Sequence, residues 1–187
     1  MRLATEVAAL PARYWGSSGG RSGPQASAQA VFLRGHAPAE GRLPIEDREA
    51  LDHLPYVREL ITSFIPASAS RCLLALLPAE EIVSPHVDEG KILVRTIRLH
   101  MPVVTSARVW MFSDELSYNM RPGEIWALNN GAMHGVWNND PEIGRVHLIC
   151  DFHPSSGLLD MLAHAERNLG AANAAVRQRL FGESLSG

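Results

Sequence analysis

His86 and Asp88 in "SPHVDEGK" (Ser84 to Lys91) and His134 in "NNGAMHGVWNND" are side chains whose types could do chemistry together. A His-x-Asp pair by itself is a common loop feature, and a lone His134 at a loop edge is readily satisfied by backbone or water. On an extended segment, however, residues two apart project to the same side, about 6.6 Å apart along the chain, so both can meet one cation while Val87 points away. A distant second histidine then completes two imidazoles and a carboxylate. That set supplies the facial triad that holds non-haem Fe(II) and leaves three coordination positions open. The strand-like "RTIRLHMP" adds Thr96, Arg98 and His100 on one face, opposite Ile97, Leu99 and Met101. In an open sheet that polar face meets solvent; in a closed barrel it lines a pocket.

Elements to position these groups are legible around them. "CLLALLP", "ILVRTIRLHMPVV", "ARVWMF", "GEIWALNN", "HGVWN" and "RVHLICDF" are short apolar runs separated by turn residues, the pattern of a β sandwich or barrel. Trp110, Trp126 and Trp137 lie in these runs and read as core rather than as a substrate platform. Before them, Ile45 to Ile65 carries Leu51, Leu54, Val57, Leu60, Ile61 and Phe64 at helical spacing, with Pro55 dividing it. From Ser155 an apolar stripe of Leu158, Leu159, Leu162, Ala165, Leu169, Ala172, Val176 and Leu180 predicts a helix that packs on the strands or pairs with a second subunit. "GSSGGRSGPQASAQ" (Gly16 to Gln29) reads as a flexible linker or as a loop that orders over a ligand.

The 187 residues suit one domain, 1–187, with a β core at about 70–154 and a C-terminal helical segment at about 155–182. Hydrophobic and charged contents of 46% and 20% are those of a globular chain. A net charge of −3 with no Lys/Arg stripe argues against nucleic acid as a partner and favours a small molecule or peptide. Cys72 and Cys150 lack metal-site spacing, and although they leave room for a single bridge, a reducing compartment is the simpler reading. "MRLATEVAALPARYW" is a weak leader and no segment approaches about 18 continuous apolar residues, so a cytoplasmic protein without a membrane span is expected.

From about Leu73 to Pro154 the chain resembles the aspartyl/asparaginyl β-hydroxylase-like family of Fe(II)/2-oxoglutarate dioxygenases, which includes bacterial cis-proline hydroxylases. The matching words, in order, are "PHVD", "RLHMPVV", "PGEIWALNNGAMHGVWN" and "RVHLICDFHP". The resemblance implies a mainly β fold with a double-stranded β-helix core (jelly-roll, cupin-like) and flanking helices. It also implies His86, Asp88 and His134 as iron ligands, and Arg98, His100 and Arg145 around 2-oxoglutarate. An arginine fork suits the distal carboxylate of such a co-substrate, and Arg145 is the expected clamp. The implied reaction consumes O2 and 2-oxoglutarate, releases succinate and CO2, and hydroxylates an unactivated C–H of an amino acid, or of an Asp, Asn or Pro residue in a peptide or carrier-bound intermediate.

Relatives with a hydroxyl side chain on the strand before the motif have Ala75 as their counterpart here, and "AVFLRG" (Ala30 to Gly35) resembles the substrate-side strand. Arg21, Arg34 and Arg95 are cations suited to a substrate carboxylate, and His147, two residues after Arg145, is a further pocket residue. A homodimer through the C-terminal helix fits the apolar stripe. Two other classes stay open: a cupin-type metalloenzyme that does not use 2-oxoglutarate, and a non-catalytic β-barrel that binds a small acid or peptide.

Overall fold

Strands alternate their side chains between two faces, and in this chain both faces are put to use. The structure, a computed structural model, describes residues 2–38, 43–90, 94–167 and 169–182. Nine strands among the described residues form two antiparallel sheets: β1 (Gln29–Arg34), β2 (Ala69–Leu77), β9 (Arg145–Phe152), β4 (Ile97–Val104) and β7 (Trp126–Ala127) in one, and β3 (Ile82–His86), β8 (His134–Asn138), β5 (Val109–Ser113) and β6 (Leu116–Tyr118) in the other. The orders β1-β2-β9-β4-β7 and β3-β8-β5-β6 interleave distant strands, as in a double-stranded β-helix. The sheets stay separate instead of closing into one hydrogen-bonded barrel.

The period of two sorts the five-stranded sheet. Val31, Leu33, Cys72, Leu74, Leu99, Met101, Val103, Val146, Leu148, Cys150 and Phe152 join one core. Against them pack α1 (Arg2–Ala8), α2 (Pro55–Glu59) and the π turn Leu60–Phe64, through Val7, Val57, Leu60 and Ile61. Pro55 does divide the helical stretch: a 3-10 turn ends at His53, and Pro55 opens α2, where its missing N–H costs nothing. The opposite face, carrying Phe32, Arg71, Leu73, Ala75, Arg98, His100, Arg145 and Ile149, lines a cavity between the sheets.

The C-terminal stripe does not form one helix. It folds as α3 (Ser156–Ala163), capped by Ser155, and α4 (Ala174–Phe181), capped by Asn173. Between them Ala171 bridges to Ser117 of β6, which takes that backbone out of helix. Leu158 is buried, whereas Leu159 and Leu169 are exposed. Val176 and Leu180 pack on Phe112, Trp110 and Trp137 of the smaller sheet, so the apolar side of α4 is spent within the chain. Cys72 and Cys150, opposite each other in register, are free thiols, and among the described residues no helix is long and apolar enough to cross a membrane.

Candidate active site

His86 and His134 are cross-strand partners on β3 and β8. Between the pairs Val83–Val136 and His86–His134, β3 carries one extra residue, a bulge that contains Pro85. A bulge is where a strand tolerates proline, and it turns His86 onto the cavity side with Val83. Gly135 permits the close approach: a Cβ there would lie 3.0 Å from the Val83 carbonyl oxygen and 3.3 Å from Pro85 backbone atoms. Asp88 lies beyond the end of β3, so the convergence expected from the pleat is made differently. Its N–H donates to the Asn130 carbonyl at 3.0 Å, within the Asn-Asn-Gly turn where the Ala132 N–H donates to the Asn129 carbonyl, also at 3.0 Å. A bulge aims the His86 side chain and a turn aims Asp88.

One donor atom from each of His86, Asp88 and His134 lies within 4.8 Å of the others. His86 Nε2 is 3.5 Å from Asp88 Oδ1, and His134 Nε2 is 3.9 Å from Asp88 Oδ2. Each imidazole turns Nδ1 to a backbone carbonyl, Ser84 at 2.8 Å and Ala132 at 3.0 Å. Those carbonyls fix the hydrogen on Nδ1 and leave the Nε2 lone pairs toward the cluster. Burial alone would raise the Asp88 pKa, but the neighbouring His86 imidazole and the charge of Arg98 hold it down at about 2. Burial lowers the pKa of His134. It also opposes protonation of His86, where Asp88 and the Ser84 carbonyl outweigh it and leave the pKa raised. Two imidazole nitrogens and an ionised carboxylate fit a first-row divalent ion such as Fe(II).

The cavity, about 270 Å³, is also lined by four arginines, Arg21, Arg71, Arg98 and Arg145. Two are committed to carboxylates. Arg98 pairs with Asp88 and, through Nε and Nη2, with Asp151 at 2.8 and 3.1 Å; Arg71 meets Asp151 at 3.2 Å. Asp151, 1% exposed, is thus the counter-charge of both, and Arg98 orients the Asp88 carboxylate. Arg145, also buried, has no carboxylate partner among the described residues. Its Nη2 donates to His147 Nδ1 at 2.7 Å, which places the His147 hydrogen on Nε2. Burial, reinforced by Arg21, lowers the Arg145 pKa to about 9. Burial likewise holds His100 and His147 well below the usual imidazole range, with Arg145 adding to it. Arg145 Nε, His147 Nε2 and His100 Nδ1 are buried without a hydrogen-bond partner among the described residues. Such atoms cost energy unless an acceptor-rich ligand meets them. A carboxylate fits.

The Gly/Ser-rich loop is folded over this cavity. Arg21 ties it down, donating to the carbonyls of Ser18 (3.2 Å), Ala28 (3.0 Å) and Gln29 (3.2 Å). Burial and the nearby Arg71 and Arg98 lower the Arg21 pKa to about 10. A 3-10 turn, Gly23–Gln25, sets the Gln25 amide against His86 and Asp88. The structure therefore brings together His86, Asp88, His134, Arg98, His100, Arg145 and Arg21. It does not bring Arg34 or Arg95 there: Arg34 pairs with Asp47 at 2.6 Å, and Arg95 is exposed. Ala75 lines the cavity, and none of Trp110, Trp126 and Trp137 does; the three are half-buried. Sequence reasoning missed Arg71, Asp151 and Gln25. The first two carried a signal, since Arg71 alternates with Leu73 and Ala75, and Asp151 sits opposite Arg98 in register. Gln25 carried none.

The chain belongs to the aspartyl/asparaginyl beta-hydroxylase family, whose model matches residues 31–154, a span that holds His86, Asp88 and His134. It is similar to two curated Streptomyces proteins. L-proline cis-3-hydroxylase 2 is 29% identical over 105 residues, 54% of this chain and 36% of that protein. L-proline cis-3-hydroxylase 1 is 26% identical over 141 residues, 73% of this chain and 48% of that protein. The chain thus spans less than half the length of either. Among solved structures, an oxidoreductase of the 2OG-Fe(II) oxygenase family from Burkholderia pseudomallei shares the fold, with a TM-score of 0.58 at 12% identity over 82% of this chain and 79% of that one.

Proposed function

We propose that the protein is an Fe(II)- and 2-oxoglutarate-dependent hydroxylase acting on an amino acid or an amino-acid residue. The observation that carries this is one cavity holding both the His86, Asp88 and His134 donors and a buried Arg145 that has no carboxylate partner among the described residues. A metal site alone suits many chemistries, and a cupin reaction without a dicarboxylate would leave Arg145 idle. The iron, when bound with 2-oxoglutarate, supplies the O2 chemistry: one oxygen atom enters the substrate C–H bond, and the other enters succinate as CO2 leaves.

The chain's own residues do the rest. Ser84 and Ala132 carbonyls keep the histidines in the ligating tautomer, and Arg98 holds Asp88 ionised and oriented. Arg145 clamps the distal carboxylate, with His100 and His147 beside it. Arg21, backed by Arg71, faces the substrate's carboxylate at the loop side of the cavity, and Phe32 and Leu73 offer it apolar wall. The two curated relatives named as proline hydroxylases support a free amino acid as the substrate. The free thiols Cys72 and Cys150 suit a reducing compartment such as the cytoplasm.

The test is succinate formation from 2-oxoglutarate with Fe(II), ascorbate and air, against free amino acids and Asp-, Asn- or Pro-containing peptides. Succinate stimulated by one of them, matched by a product heavier by one oxygen atom and absent with His134→Ala, is the expected result. Stoichiometric Fe(II) binding with no effect of 2-oxoglutarate on its spectrum would refute the co-substrate.

A further inference from the structure

Gln25 is a neutral residue on a loop, and the proposed reaction gives it no part. Its amide nevertheless stands inside the donor cluster. The terminal amide nitrogen is 3.2 Å from His86 Nε2 and 3.3 Å from Asp88 Oδ1. It is nearer to each than the two are to one another, at 3.5 Å. Two donors at right angles on an ion about 2.1 Å from each lie about 3 Å apart. The end of the Gln25 side chain is therefore spaced from His86 and Asp88 as a neighbouring ligand would be.

The hydrogen bonds show that the arrangement must change when a cation enters. His86 gives its Nδ1 hydrogen to Ser84, so its Nε2 is an acceptor, and it receives a Gln25 N–H. Asp88 Oδ1 receives the same amide group. A metal ion takes both of those lone pairs, and the N–H groups are then left facing a cation. A half-turn about the Gln25 Cγ–Cδ bond removes the conflict by exchanging nitrogen for oxygen, and an amide oxygen is a competent ligand for a hard or borderline divalent ion. The loop is held in place for this: Ser27 Oγ donates to the Ile82 carbonyl at 2.8 Å on the strand that carries His86, and Arg21 pins the segment behind it.

We propose that Gln25 is a fourth protein donor to the metal in the resting protein, bound through Oε1, and that 2-oxoglutarate displaces it. The inference rests on the reading of the site as an iron and 2-oxoglutarate centre. Three protein donors leave three positions. Gln25 fills one weakly, shielding the ion from water, and yields it when the bidentate co-substrate arrives. Release of the side chain removes one of the ties between the metal site and the loop that bears Arg21, so arrival of the co-substrate is linked to the substrate side.

Because Gln25 favours metal binding and opposes co-substrate binding, its loss must move the two affinities in opposite directions by a similar factor. The experiment titrates metal-free full-length protein with Co(II), following its visible absorption, and then titrates the Co(II) form with 2-oxoglutarate. No turnover is needed. Gln25→Leu is expected to weaken Co(II) binding about tenfold and to tighten 2-oxoglutarate by about the same factor. Gln25→Glu, with a stronger oxygen donor, should do the reverse. Thermal melts of both variants guard against misfolding, and His134→Ala defines loss of the centre itself. Unchanged Co(II) and 2-oxoglutarate affinities in both Gln25 variants, with normal binding by the parent protein, overturn the fourth donor alone. Failure of the parent protein to bind Co(II) overturns the metal-centre reading with it.

Discussion

Replacing Arg145 by methionine should make the ligand-free protein more stable while it loses its co-substrate. Arg145 is 4% exposed, without a carboxylate partner among the described residues, and burial brings its pKa from the ordinary guanidinium range down to about 9. A depression of that size corresponds to roughly 4–5 kcal/mol of penalty on the charged form. Methionine removes the charge and keeps much of the volume. Against this, His147 Nδ1 loses the donor now at 2.7 Å, and an orphaned buried acceptor costs about 1–3 kcal/mol. The net is a gain of roughly 2 kcal/mol, a rise in Tm of roughly 4–8 °C for a chain of this length. The same change removes a charge-assisted clamp, so the Kd for 2-oxoglutarate should rise about 10- to 150-fold. The assay is thermal unfolding with and without 2-oxoglutarate on Co(II)-loaded protein. The parent Tm climbs with the ligand, as binding to the folded state alone requires, and the variant starts higher and does not respond. A variant less stable than the parent, or one that keeps its response, would refute the view of Arg145 as an uncompensated cation awaiting a carboxylate.

Asp151→Asn leaves Arg98 and Arg71 without their shared counter-charge and should cost about 3–5 kcal/mol, a fall in Tm on the order of 10 °C in ligand-free protein; a shift below 2 °C would contradict the network. Gly135→Ala forces β3 from β8, because the added Cβ meets the Val83 carbonyl at 3.0 Å; metal affinity measured by Co(II) titration should fall about tenfold although no ligand is altered. His100 and His147 are held neutral by burial, whereas the unfolded chain protonates them below about pH 6.5. The unfolded state thus binds more protons there, and stability falls on acidification from about pH 6.5, by up to about 1.4 kcal/mol per pH unit for each group. Urea midpoints between pH 7 and 5.5 should show this slope reduced in His147→Gln, and an identical slope would count against a neutral His147.

Legibility in the sequence followed the period of the structure. Thr96, Arg98 and His100 against Ile97, Leu99 and Met101 announced a strand with unlike faces, and β4 puts Leu99 and Met101 in the helix-backed core and Arg98 and His100 on the cavity. Chemistry-bearing residues on strands were accessible for that reason. The C-terminal stripe misled because helical spacing does not register a competing partner: the Ser117–Ala171 bridge, formed across more than fifty residues of chain, interrupts the helix. Arg34 looked equivalent to Arg21, yet a register shift between Phe32 and Arg34 takes it out of the alternation and gives it to Asp47. Gln25 was invisible because its position depends on how a Gly-rich loop folds back, which no local pattern encodes.

Depth adds an order to these parts. Arg145 and His100 are almost wholly buried, whereas Arg21 and Gln25 are half-buried on the loop that walls the cavity. In the proposed reaction a dicarboxylate on Arg145 takes the buried end of the cavity and a substrate the loop end beside Arg21. If, as proposed, a metal ion sits at Asp88 and Arg145 holds the co-substrate on the inner side, the cation left without a carboxylate partner among the described residues is Arg21, facing the loop, while Arg71 shares Asp151 with Arg98. A cavity of about 270 Å³ holds two small molecules only if both are compact. Charge left over at the mouth and little space beyond it together favour a small carboxylate-bearing amino acid over a folded protein domain as the second occupant.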